Sequence, residues 1–404
     1  MKEPPATPGW VSALTAMIVV QMATAFLTRV TPTIAPAMSA ELGWSDAVIG
    51  YLSSISTVGS IAFLVMGAPI MRRFGSIRAL QLGLALGIFG LCFLLPPLLP
   101  VAMAGAFLIG LGYGPSSPAG SDVLHRIAPP RHRSLIFSLK QAGVPAGGIV
   151  AGLALPPLVT AYGWRASLLF SAALVVAVIL VVQPMRRRLD AGRDLGQSLA
   201  PGAFFSLGNV LEPLRALRGS TSVMRIAAVG ACLALGQGIW FAYLITFAVS
   251  ELGYDLRAAG LAFAVMQATG VFGRVLLGWI ADRMRDATRL LAIVCLASGA
   301  TSLLLMLATP AWPSWLLYAL AAVAGVTVSS WNGVQIAEIA RRSPSGLIRE
   351  AASGATIVVF LGYVVGPSSF ALLVAATGRF DLGFLVCAAA GLAGFLLLAT
   401  KPGA

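Results

Sequence analysis

Twelve apolar runs, each long enough to cross a bilayer, constrain this chain more than any other feature. They fall at about residues 11–36, 47–70, 79–98, 101–124, 135–159, 165–184, 224–249, 258–281, 289–308, 315–339, 352–376 and 381–400. A hydrocarbon core about 30 Å thick needs about 20 helical residues, whereas a barrel strand needs only about ten alternating ones. The predicted fold class is therefore all-α: a polytopic membrane protein of twelve transmembrane helices. Charged residues make up 10% of the chain, against about 25% in a soluble domain.

A net charge of +13 would suit nucleic acid if it were gathered on one face, but its distribution follows topology. With a cytoplasmic N-terminus, the inner loops hold Arg72, Arg73 and Arg78, then Arg126, Arg131 and Arg133, then the stretch from Arg186 to Arg225. They continue with Arg283, Arg285 and Arg289, then Arg341, Arg342 and Arg349. The opposite loops hold Arg165, Arg257 and Arg379. This is the positive-inside pattern, and it predicts that both termini are cytoplasmic and that no nucleic acid is bound. The polar start, followed by an apolar run too long for a cleaved leader, reads as a retained first span. Cys92, Cys232, Cys295 and Cys387 each fall in a different run, which suits neither a disulfide framework nor a metal site. Two histidines and scattered cysteines supply no nucleophile–base set, so neither catalytic residues nor a cofactor is expected.

Few charges enter the spans. Arg274 lies in the eighth, eight residues before Asp282, or about 12 Å along a helix. A charge at that depth costs about 3 kcal/mol on insertion scales, so the helix must turn it toward a partner or a water-filled cavity. Gln267 lies two turns earlier on the same face. In span one, Arg29 accompanies Gln21, Thr24 and Thr28; it either snorkels to the outer surface or faces a pocket. In span five, Lys140 either snorkels to the cytoplasm or points into the cavity. Tyr243 of span seven and Asn332 of span ten are further polar candidates for a substrate pocket. Asp122 and Arg126 are four apart, as are Glu338 and Arg342, so each acid can form a same-face ion pair at a helix end. Both acids remain candidates for proton coupling.

Two motifs repeat. Gly67-Ala-Pro-Ile-Met71-Arg72 aligns with Gly278-Trp-Ile-Ala-Asp282-Arg283 at an offset of 211, from 278 minus 67. Ser116-Ser117-Pro-Ala-Gly120 aligns with Ser329-Ser330-Trp-Asn-Gly333 at an offset of 213, from 329 minus 116. Near-equal offsets imply a duplication of six spans plus six, with halves at 1–184 and 224–404 and a linker at 185–223. Span five also carries Gly143/Gly147 and Gly148/Gly152, small-residue pairs that permit close helix approach, and Pro145, which should bend it.

Twelve spans in two halves, with Gly-x-x-x-Asp-Arg between spans eight and nine and a weaker copy between spans two and three, resemble the major facilitator superfamily. The resemblance covers the whole chain. It implies a secondary transporter working by alternating access, and a gating role for Asp282 and Arg283, with Arg72 in the first copy. Met71 stands where the first copy would have its aspartate. The span-five glycine–proline run is similar to the superfamily's motif often linked to exchangers. The span-eight arginine also resembles that of monocarboxylate, oxalate/formate and cyanate-type carriers.

With Arg29, Lys140 and Arg274 as the basic residues inside spans, the membrane centre is expected to be net positive, which favours an anion. The reading is a transporter of a small anion, a mono- or dicarboxylate, coupled to protons or working by exchange. The chain is expected to act as a monomer in the bilayer, in a bacterial inner membrane. The rival within transport is a multidrug or metabolite exporter. A membrane-embedded sensor or enzyme is disfavoured by the absence of a long soluble segment and of a catalytic set.

Overall fold

The computed structural model describes residues 9–129, 132–205, 215, 217–284, 286–344 and 347–399. Arg131, Arg285 and both chain ends lie outside the described residues, as do the side chains of Arg133 and Arg349. Among the described residues the regular elements are all helices. Ten helices among the described residues are long and apolar enough to cross a membrane. One of these, Ile136–Leu189, is 54 residues long and contains Gly163 at φ 82°, a left-handed conformation that turns the chain. It therefore holds spans five and six. Span three is Ser76–Cys92, apolar but only 17 residues long. The twelve expected spans are thus all present as helices.

Three of them are not continuous, which the apolar pattern did not reveal. Span four is Leu99–Tyr113 followed by Ser116–Ile127. Pro115 and Pro118 have no N–H to offer Leu111 and Gly114, so the ladder breaks there. Span five divides into Arg133–Gln141 and the part of Gly143–Val182 that precedes Gly163. Pro145 cannot donate to Gln141, so the expected bend falls where that bond is missing. Span ten is Ser314–Thr327 followed by Asn332–Arg342, with no proline at the break. There the Ser330 hydroxyl donates to Gly325 O (2.7 Å) and Gly270 O (3.1 Å), offering the backbone an alternative to the helical ladder.

The chain divides into two compact units, Met1–Val30 with Ile55–Val150 and Tyr162–Ser206, and Thr31–Ser54 with Ala151–Ala161 and Leu207–Ala404. Within the first, span five lies directly on span one: a Cβ added at Gly143 would come within 2.9 Å of Ile18 O, and one at Gly147 within 2.6 Å of Phe26 N. Small residues let these backbones approach as the paired glycines predict. Span two (Val48–Met66) meets span four through Ser60, whose hydroxyl donates to Gly110 O (3.0 Å).

Within the second unit, span seven (Thr221–Ser250) is the most enclosed helix. Its Trp240, Tyr243 and Phe247 join Phe370, Phe380 and Phe384 in an aromatic cluster. Tyr243 stacks on Phe370 with ring centroids 4.1 Å apart. Trp240 Nε1 donates to Ser302 Oγ (2.9 Å), satisfying the one polar atom its burial would otherwise strand.

Candidate functional site

The polar groups inside the spans fall into two sets, one in each unit. In the first unit the central residue is Lys140. Lys140 does not snorkel out to the cytoplasm: its side chain is turned into the protein and 1% exposed, and Nζ donates to Ser117 O (3.1 Å) at the break in span four. Its Cε lies beside Gly120, where an added Cβ would meet it at 2.8 Å. Gln21 of span one is also buried, and its Oε1 has no hydrogen-bond partner. Arg29 is half-buried, farther along span one.

In the second unit, Arg274 is half-buried on span eight (Leu256–Arg283), and Nη2 donates to Ser329 O (3.4 Å) at the break in span ten. Gln267 is 1% exposed, and both of its amide atoms are buried without a hydrogen-bond partner. Asn332 opens the second half of span ten; its Oδ1 is likewise unsatisfied, as are Ser329 Oγ, Trp331 Nε1 and Gln335 Nε2. Buried amides and hydroxyls almost always find a partner, and leaving one unmet costs about 1–3 kcal/mol. Unsatisfied polar groups gathered on spans eight and ten, with Arg274 on Ser329 O, are what a site that binds a polar ligand would present. Tyr243 takes no part in it: its hydroxyl donates to Ala47 O (3.0 Å) within the aromatic core. The sequence pointed to Asn332 and Gln267 but passed over Ser329. The repeated serine pair was the available signal for Ser329.

The acids at the helix ends are partnered. Asp122 pairs with Arg126 (2.9 Å) and accepts from Ser76 Oγ (2.5 Å). Glu338, its side chain 5% exposed, accepts from Arg341 (2.6 Å) and Arg342 (2.9 Å). Asp286 bridges the same two arginines at 3.3 and 3.0 Å and also accepts from the Thr288 hydroxyl (2.5 Å), which holds its carboxyl below the usual range. The i,i+4 ion pairs read from the sequence are both present.

Asp282 is exposed at the end of span eight. Arg283, also exposed, lies over the Trp279 ring with its carbon 3.6 Å from the centroid. Arg72 is exposed, and its carbonyl accepts from Asp194 N (2.9 Å). Near the first loop copy, where Met71 replaces an acid, a different carboxylate appears. Asp190, 1% exposed, accepts from Ile77 N (2.8 Å) and Arg78 N (3.0 Å) and so caps span three from the linker. Burial pushes its carboxyl up. No motif in the sequence marks this residue. Among the described residues no group of His, Cys, Asp and Glu is placed to hold a metal.

A family model described as Major Facilitator Superfamily matches residues 14–349. The 4-hydroxybenzoate transporter PcaK of Pseudomonas putida is 26% identical over 62% of this chain and 61% of its own length. The gentisate transporter of Corynebacterium glutamicum is 26% identical over 91% of this chain and 82% of its own. The chain spans 42% to 61% of the length of the first curated relatives it matches. Among solved structures, a bacterial homologue of the human lysosomal transporter Spinster superposes with a TM-score of 0.71 at 16% identity, over 97% of this chain and 95% of that one. At that identity the likeness shows the fold alone.

Proposed function

Because the chain belongs to the Major Facilitator Superfamily, a family of transporters rather than enzymes, we propose that it carries a small organic anion by alternating access. The moving parts are the halves 1–184 and 224–404 joined by the linker 185–223. The observation that carries the reading is Arg274, a basic side chain on span eight that donates to the Ser329 carbonyl at the break in span ten. Lys140, buried within the spans and held by the Ser117 carbonyl, adds a second basic centre. A guanidinium grips a carboxylate through two parallel N–H bonds, and a buried cation loses less of that attraction to water. Relatives named for 4-hydroxybenzoate, gentisate and gallate support aromatic carboxylates as the first class to test.

Substrate contacts are assigned to Arg274, Gln267 and Asn332, with Arg29 and Lys140 as further cations. Asp282, Arg283 and Arg72 are assigned to gating, from their places in the repeated loop. Asp122 and Glu338 stay as candidates for proton coupling, the alternative being exchange. The chain is read as a monomer of a bacterial inner membrane.

The test is a stabilisation screen of the purified protein. A ligand that binds only the folded state raises stability by mass action, about 2.7 kcal/mol at a hundred times its Kd. 4-Hydroxybenzoate, gentisate or gallate should raise the unfolding midpoint, while uncharged analogues and cationic drugs should not. Stabilisation by cationic drugs alone would replace this reading with that of a drug exporter.

Loop charge predicts cytoplasmic termini and a cytoplasmic linker. In single-cysteine variants of intact cells, an impermeant thiol reagent should label position 45 (Ser45→Cys) and spare position 198 (Ser198→Cys). The reverse pattern would overturn the orientation.

A further inference from the structure

The repeated serine pair marks the same event in both halves. Ser116-Ser117 and Ser329-Ser330 each sit where span four or span ten breaks and resumes as a half-helix, Ser116–Ile127 or Asn332–Arg342. At each break the first serine is buried, 2% exposed at Ser116 and 0% at Ser329, and its hydroxyl has no hydrogen-bond partner. At each break a basic side chain from another span donates to a carbonyl of the pair: Lys140 to Ser117 O at 3.1 Å, and Arg274 to Ser329 O at 3.4 Å. The two cations are not repeats of one another, since 140 plus 213 is the serine at 353. The same local arrangement has therefore been furnished from different spans.

We propose that the break in span four is an anion subsite in its own right, accepting one carboxylate or inorganic oxyanion beside Lys140. An ammonium group has three donors. One is on Ser117 O, and no carboxylate among the described residues pairs with it. The Ser116 hydroxyl supplies a neutral donor already removed from water. Together these are a charged donor and a hydroxyl donor at one break in the helix, without a paired carboxylate among the described residues. Irregular backbone at membrane depth is tolerated where protein or a cavity meets its polar groups, and transporter half-helix N-termini characteristically face anionic groups. The subsite takes its ligand class from the anion-carrier reading but rests on residues distinct from the Arg274 group.

The test is equilibrium binding of 4-hydroxybenzoate to the purified full-length protein, with stoichiometry and affinity measured for the parent, Lys140→Met, Lys140→Arg, Ser116→Ala and Arg274→Ala. Folding is checked by monodispersity and unfolding midpoint. The expected result is two sites per chain in the parent. Lys140→Met should keep one, Lys140→Arg should keep both within about fivefold, and Arg274→Ala should keep the site that depends on Lys140. Ser116→Ala should weaken the same site about threefold to tenfold, and it keeps the subsite testable if Lys140→Met does not fold. Parent stoichiometry and affinity in a folded Lys140→Met, or in Ser116→Ala, would overturn the subsite while leaving the carrier reading in place. A single Arg274-dependent site in the parent would do the same. No anion binding by the parent would overturn both.

Discussion

Arg274→Ala is expected to abolish measurable binding of the aromatic carboxylate at the span-eight site while leaving a folded protein. Truncating one member of a buried, hydrogen-bonded charge pair at an interface costs about 2–5 kcal/mol, which is a loss of roughly 30-fold to several thousand-fold in affinity. Folding should survive because the change removes a charge that the helix otherwise has to shelter, and the carbonyl it leaves at Ser329 lies at a helix break where water can replace it. Arg274→Lys keeps the charge but loses the planar fork, so affinity should still fall by about tenfold or more. Gln267→Leu should weaken binding less, since it removes neutral bonds of about 1 kcal/mol each. The measurement is calorimetric titration of 4-hydroxybenzoate into each folded variant. If Arg274→Ala binds with the affinity and stoichiometry of the parent, the arginine is a structural residue and the substrate site lies elsewhere.

The second large effect is on stability. Glu338→Gln should lower the unfolding free energy by about 2 kcal/mol, the range lost when a hydrogen bond to a charged group is removed from a buried site. Glu338 carries more of the cluster than its exposed neighbour because of burial: its side chain is 5% exposed, against 51% for Asp286. Both arginines converge on Glu338 Oε2, and Arg342 also donates to Ser222 Oγ (2.9 Å), so the acid ties the end of span ten to the start of span seven. Without the charge, the acid that still bridges Arg341 and Arg342 is the half-solvated Asp286, and exposed pairs contribute at most about 1 kcal/mol. Asp286→Asn should therefore cost well under half as much as Glu338→Gln. The comparison is made by thermal unfolding in one detergent at pH 7. A larger loss from Asp286→Asn would show that the Thr288 cap, not the buried glutamate, holds this end together.

Much of the architecture was legible without coordinates because its causes are local. Each span announces itself by run length, since lipid offers no other solution for an apolar stretch of that size. The ion pairs of Asp122 with Arg126 and Glu338 with Arg342 follow from four-residue spacing on one helix. The approach of Gly143 and Gly147 to span one follows from the absence of side chains there. The doubled motifs pointed to two halves. Tertiary structure alone decided what depends on residues distant in sequence. Lys140 could have reached water by either route, and only the carbonyl offered by the break in span four settles its inward direction. Tyr243 looked available for a ligand until its hydroxyl met Ala47 O, a contact 196 residues apart in the chain. Asp190 is a linker acid without a motif, and only folding brings it onto the amides of Ile77 and Arg78. The span breaks divide along the same line: two follow from proline's missing N–H, while the third depends on where the Ser330 hydroxyl finds Gly270 O across to span eight. Periodicity records what a helix does with its own neighbours, and polar atoms inside a bundle are satisfied by whatever the other helices bring.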